Sequence, residues 1–159
     1  MSFSLHINAT NRADKYQEVL PQIRNVVSGE RDLIANLANI SAVLKSTFQF
    51  FWVGFYQVKE NQLVLGPFQG PLACTRINKG KGVCGSAWEQ NKIIVVPNVD
   101  LFEGHIACSS ETKSEIVLPI RKKSMVELIL DIDSDQLDDF DEVDEKYLSE
   151  LVGIVEELL

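Results

Sequence analysis

Basic residues are in short supply. Fifteen Lys and Arg stand against 23 Asp and Glu, a formal net charge of −8. A phosphate backbone is gripped mainly by clustered Lys and Arg, so nucleic acid and anionic membrane surfaces are excluded as partners. The one basic cluster, Arg121-Lys122-Lys123, reads as a solvated turn. No apolar run approaches the ~20 residues needed to cross a bilayer. The N-terminus, Met1-Ser2-Phe3-Ser4-Leu5-His6, lacks the basic segment and apolar stretch of a secretory signal. Cysteine is scarce too: there are three, an odd number. In a chain without a signal this fits a reducing compartment, the cytoplasm by default, where thiols serve chemistry, metal or packing. Internal repeats and low-complexity stretches are absent.

What is present is an ordinary globular composition, 45% hydrophobic and 24% charged over 159 residues, enough for a single domain spanning 1–159. Thr10 or Asn11 caps a helix predicted to residue 27, with Pro21 marking a kink and Ser28-Gly29 a stop. A second helix is predicted over 30–46, with Leu33, Ile34, Leu37, Ile40, Val43 and Leu44 on one face. The period then changes. Residues 50–56, aromatic and β-branched, read as a strand that turns at 59–62 into a hairpin partner around Leu63-Val64-Leu65. Gly66-Pro67 and Gly70-Pro71 punctuate a loop before a short strand at 72–77. A short helix over 86–90 and a strand over 92–96 follow.

Residues 98–113 show no period, and irregular segments of that length in compact domains are usually functional. Cys108 lies inside this one. Two strands, 115–120 and 125–133, and a helix from about residue 141 complete the chain. This order describes an α+β domain with a mostly antiparallel sheet of about six strands and helices packed on one face.

Three motifs invite chemistry that their context denies. Gly80-Lys81-Gly82-Val83-Cys84-Gly85 matches a dinucleotide fingerprint, yet the helix it opens is too short for a parallel βαβ unit. The acids between Asp131 and Glu142 echo a calcium loop, but Gln136 stands where its sharp turn needs glycine. Cys74, Cys84, Cys108 and His105 are spaced too widely for a compact zinc motif, so no metal is expected.

Other phrases hold together. Trp52-Val53-Gly54-Phe55-Tyr56, Gly66-Pro67-Phe68-Gln69-Gly70, Ala73-Cys74 and Gly80-Lys81-Gly82-Val83-Cys84-Gly85 occur in this order. Gly104-His105-Ile106-Ala107-Cys108, Ser114-Glu115-Ile116-Val117 and Leu130-Asp131-Ile132-Asp133-Ser134 follow. Together they closely resemble the free methionine-(R)-sulfoxide reductases, stand-alone GAF-domain enzymes, over nearly the whole chain.

The resemblance implies that Cys108 is the nucleophile and that Cys74 and Cys84 take part in regeneration, the Cys74 equivalent being the usual disulfide partner. It implies that Glu115, Asp131 and Asp133 hold and activate the substrate, free methionine-(R)-sulfoxide. Trp52 lines the pocket for the substrate's methyl group, and Tyr56 of the same phrase joins the binding set. It further implies thioredoxin as the reductant, no resident cofactor and a homodimer.

The residues suit that chemistry. A thiolate attacks the sulfoxide sulfur, an acid protonates the oxygen, and the resulting sulfenic acid condenses with a second thiol. Asp131 and Asp133, two apart on a strand, point to one face roughly 6–7 Å apart and suit an α-ammonium group. Glu115 on the neighbouring strand joins them, and clustered carboxylates raise one another's pKa. The same field opposes a thiolate at Cys108 until substrate arrives. His105 reads more simply as a loop residue bonded to backbone.

The chain departs from the family pattern at Ser109-Ser110-Glu111-Thr112-Lys113, where the family has Asp and small residues, and at Ser124 and Leu128, where it has glycine. A non-catalytic GAF-type sensor of a small ligand and a substrate-free thiol switch are the rival readings.

Overall fold

The computed structural model describes residues 4–159; Met1, Ser2 and Phe3, the start of the N-terminal segment, lie outside the described residues. Helix α1 (Arg12–Ser28) begins where the Asn11 side chain accepts the Asp14 N–H, and ends at Gly29. Tyr16, Val19, Leu20, Ile23 and Val27 make its buried stripe, and Pro21 is contained within the helix. Helix α2 (Leu33–Phe48) starts three residues later than its pattern suggests. The Glu30 carboxylate takes the N–H groups of Arg31 and Asp32, turning the chain before Asp32 caps the helix. Ile34, placed by sequence on the apolar face, is exposed.

Strands β1 (Trp52–Lys59), β2 (Gln62–Gln69), β3 (Arg76–Asn78), β4 (Ile94–Val96), β5 (Ser114–Lys122) and β6 (Met125–Ser134) form one sheet in the order β3-β2-β1-β6-β5-β4. Every neighbouring pair is antiparallel. Gly66-Pro67 does not end β2, as the sequence suggested. The register shifts there, so that Gly66 and Pro67 together face Phe55, and the strand continues to Gln69. A bulge absorbs the proline that a regular ladder would reject. Strand β3 is shorter than predicted, because residues up to 75 are given over to the loop carrying Cys74.

The two-residue period of the strands sorts their side chains. Val53, Phe55, Ile116, Leu118, Ile120, Leu128, Leu130 and Ile132 face α1, α2 and α4 (Glu142–Glu156) in the larger core. Each such aliphatic side chain, fully removed from water, contributes roughly 1.5–3 kcal/mol. A buried polar clamp ties the helices together. Asp144, 0% exposed, accepts from the Tyr16 hydroxyl at 2.7 Å and from Arg12 at 3.1 Å, and closes a capping box on α4. The alternate strand positions face the other way, toward the short helix α3 (Gly82–Gln90) and irregular loops. Thus the three long helices share one face, and α3 is the exception.

The fold also disposes of the misleading motifs. The glycine-rich turn before α3 connects β3 and β4 at opposite edges of an antiparallel sheet, so no parallel βαβ unit exists among the described residues. Asp131 and Asp133 lie within β6 rather than in an ion-binding loop. Lys122 and Lys123 sit at the exposed β5–β6 turn, while Arg121 bonds Asn91. Among the described residues, no helix is long and apolar enough to cross a membrane.

Candidate active site

Register builds the floor of the site. On β6, Asp133 pairs with Trp52 of β1 on one side and Glu115 of β5 on the other. Two residues along, Asp131 pairs with Gly54 and Val117. All three acids therefore project from the face covered by α3, and they line one cavity with Trp52, Tyr56, Cys84, His105 and Cys108. Gly54 is there for space. A Cβ on it would lie 2.4 Å from the Phe68 Cβ and 2.7 Å from the Trp52 ring.

Trp52 is both core and wall. It is 3% exposed, stacks on Phe68 at 5.3 Å and on Tyr56 at 6.1 Å, and donates its indole N–H to the Pro71 carbonyl at 3.1 Å. Tyr56 donates its hydroxyl to the Cys74 carbonyl at 2.9 Å, fixing the loop that carries this cysteine. Cys74 and Cys108 are joined in a disulfide, with Cα atoms 5.3 Å apart across 34 residues of sequence. Cys84 is free and buried on the first turn of α3, its sulfur 4.0 Å from Glu115 Oε1. Of the two cysteines that sequence left as partners for Cys108, the structure pairs Cys74. Two of the four ligands weighed for a zinc motif are thereby occupied.

Gly82 opens α3 with φ +62°, a conformation that costs a side-chain-bearing residue strain. Among the described residues no side chain caps the helix, so its first N–H groups stay free beside the cavity. The irregular segment over 98–113 includes one 3-10 turn, Val99–Leu101, and brings His105 and Cys108 over the acids. His105 was undervalued by sequence. Its N–H does bond a backbone carbonyl, that of Phe102, but its ring reaches to 3.8 Å from Glu115. Its place three residues before Cys108 was the signal available.

Burial dominates the electrostatics. It lifts the Glu115 carboxyl well above the usual range, with Asp131 and Asp133 pushing the same way. Asp131 is pushed up to about 6 by burial, moderated by hydrogen bonds from Glu115 and Cys84. Burial and then Asp131 raise Asp133. The Cys84 thiol is driven up by burial and by the Asp131 and Glu115 charges. Burial lowers His105 and so favours neutral imidazole, against the pull of Asp100. The site thus favours protons on its carboxyl groups, which an entering cation would draw to the charged form, with a redox-capable cysteine pair at its side.

No family model matches the chain. It is 55% identical to GAF domain-containing protein A of Dictyostelium discoideum over 157 residues, covering 98% of this chain and 99% of that one. It is 41% identical to the free methionine-R-sulfoxide reductase of Escherichia coli over 150 residues, 94% of this chain and 91% of that one. Its structure superposes on the free methionine-R-sulfoxide reductase of Neisseria meningitidis, solved in complex with its substrate, with a TM-score of 0.96 and 53% identity. That match covers 98% of this chain and 94% of that one. By sequence and by fold, this chain is a member of the free methionine-R-sulfoxide reductase family, built on a GAF domain.

Proposed function

We propose that this protein reduces free methionine-(R)-sulfoxide to methionine through thiol chemistry at Cys108. The observation that carries the reading is the Cys74–Cys108 disulfide beside a cavity floored by Glu115, Asp131 and Asp133 and walled by Trp52. In the reduced enzyme, the Cys108 thiolate attacks the sulfoxide sulfur. As a carboxyl group of the cluster protonates the oxygen, the hydroxyl passes from the methionine sulfur to the Cys108 sulfur. The new sulfur–sulfur bond breaks, methionine leaves with its electron pair, and Cys108 is left as a sulfenic acid. The Cys74 thiol then attacks that sulfur. Water departs and the disulfide forms. An external dithiol, with thioredoxin the expected donor, returns two electrons and two protons. The protein needs no resident cofactor for this cycle.

The acids and the free N–H groups of α3 suit the two ends of an amino acid. Carboxylates at Asp131 and Asp133 attract the α-ammonium group, and the uncapped helix start suits the α-carboxylate. A peptide-bound residue carries neither charge. Trp52, with Tyr56 behind it, offers an aromatic wall for the S-methyl group. The reading also assigns the protein to a reducing compartment, the cytoplasm, and to a homodimer.

The test is direct. Each methionine sulfoxide diastereomer is incubated, free and in a peptide, with dithiothreitol or thioredoxin, and methionine is measured. Turnover of the free R form alone is expected. Tight binding without turnover would favour a sensor, and peroxide-driven disulfide formation without methionine would favour a thiol switch.

A further inference from the structure

Cys84 has no place in the exchange between Cys74 and Cys108, yet it is the thiol set deepest among the acids. Its sulfur, a Glu115 oxygen and an Asp131 oxygen all lie within 4.8 Å of one another, and all three residues are buried. Asp131 is 6% exposed, and its Oδ1 has no hydrogen-bond partner among the described residues. His105 Nε2 lies 3.8 Å from Glu115 Oε2, whereas Cys84 approaches Oε1, and it stands outside this group of three. No Lys or Arg lines the cavity among the described residues.

We infer that Cys84, Glu115 and Asp131 form a three-residue binding site for a thiophilic divalent cation of the zinc class. Around tetrahedral zinc, sulfur at ~2.3 Å and oxygen or nitrogen at ~2.0–2.2 Å place neighbouring ligands roughly 3.3–3.8 Å apart. The Cys84–Glu115 separation of 4.0 Å is already close to that. The donor set decides the class of ion. Magnesium and calcium prefer oxygen alone, whereas a thiolate joined to carboxylates suits zinc. An ammonium group would use the oxygens and leave the sulfur idle. The widely spaced cysteines gave no such pattern in sequence, because two of the donors are acids on separate strands. The site overlaps the substrate pocket, so bound zinc excludes methionine sulfoxide; that consequence, unlike the binding itself, rests on the proposed reductase reading.

Cobalt titration of the oxidised protein isolates the question, since Cys74 and Cys108 are then tied up and Cys84 is the only thiol able to bind. One equivalent of Co2+ is expected to give a near-ultraviolet sulfur-to-cobalt charge-transfer band, which Zn2+ displaces. Cys84→Ser should abolish the band and weaken Zn2+ binding at least about tenfold. Glu115→Gln, which keeps the sulfur and the side-chain size, should weaken both metals while retaining a band at higher Co2+. Thermal melts establish that each variant is folded. No band in the wild type, or a band that survives in Cys84→Ser, overturns the assignment. The titration requires no turnover, so metal binding is decided even if the protein fails to reduce methionine sulfoxide.

Discussion

Glu115 on β5 stands directly across the antiparallel ladder from Asp133 on β6. Like charges so placed oppose each other, and here Asp131 joins them on the same buried face. A carboxyl whose folded pKa exceeds its unfolded value costs stability once pH rises past the unfolded value, and the full cost is present above the folded one. For Asp131 that window runs from 3.8 to about 6. Asp131→Asn should therefore stabilise the protein at pH 8 by on the order of 2–3 kcal/mol, while turnover falls. The gain should vanish near pH 4. Melting curves at the two pH values check this, and an equal shift at both would refute it.

Single-turnover chemistry separates the cysteines. Without reductant, the unsubstituted reduced protein should release one methionine per chain and end as the Cys74–Cys108 disulfide. Cys108→Ser should release none. Cys74→Ser should release up to one and leave a sulfenic acid that dimedone captures. Cys84→Ser should still form the disulfide, as mass spectrometry of peptide maps would show; failure to form it would reassign the resolving role.

Gly54 sets the depth of the pocket. In Gly54→Ala the added methyl meets the Phe68 Cβ at 2.4 Å and the Trp52 ring at 2.7 Å, and backbone within a sheet yields little. Overpacking of this kind costs roughly 1–3 kcal/mol. Displacement of Trp52 should raise KM more than it lowers kcat if the indole holds the substrate in ground and transition states alike. Urea melts and steady-state kinetics measure both effects.

Far from the cavity, Asp144→Ala should leave the Tyr16 hydroxyl without its buried partner, while Arg12 keeps its ion pair with Asp139. Leaving that buried hydroxyl unpaired costs roughly 1–3 kcal/mol. Activity per folded molecule should persist. A variant as stable as the parent would show that the clamp contributes nothing.

Local signals in the chain were sufficient for most elements. Asn11 and Asp32 cap helices because their side chains reach N–H groups three residues on. The alternation over residues 128–133 put Asp131 and Asp133 on one face, because successive strand residues must point oppositely. The bulge at Gly66-Pro67 was not legible, because sequence marks these residues as breakers without saying whether a neighbouring strand will accommodate them. Ile34 fits an apolar helical period yet is exposed, since burial depends on what packs opposite.

The sequence by itself determined the chemistry available: three thiols, a strand bearing two acids at even spacing, and a chain too acidic for phosphate partners. Tertiary structure alone decided which of them meet. Cys74 and Cys108 are 34 residues apart and Cys84 lies between them, yet the first two are joined and the third faces Glu115 and Asp131. Spacing along a chain sets the residues it can bring together locally. Which distant ones touch is fixed by sheet order and by loops whose course carries no periodic signal.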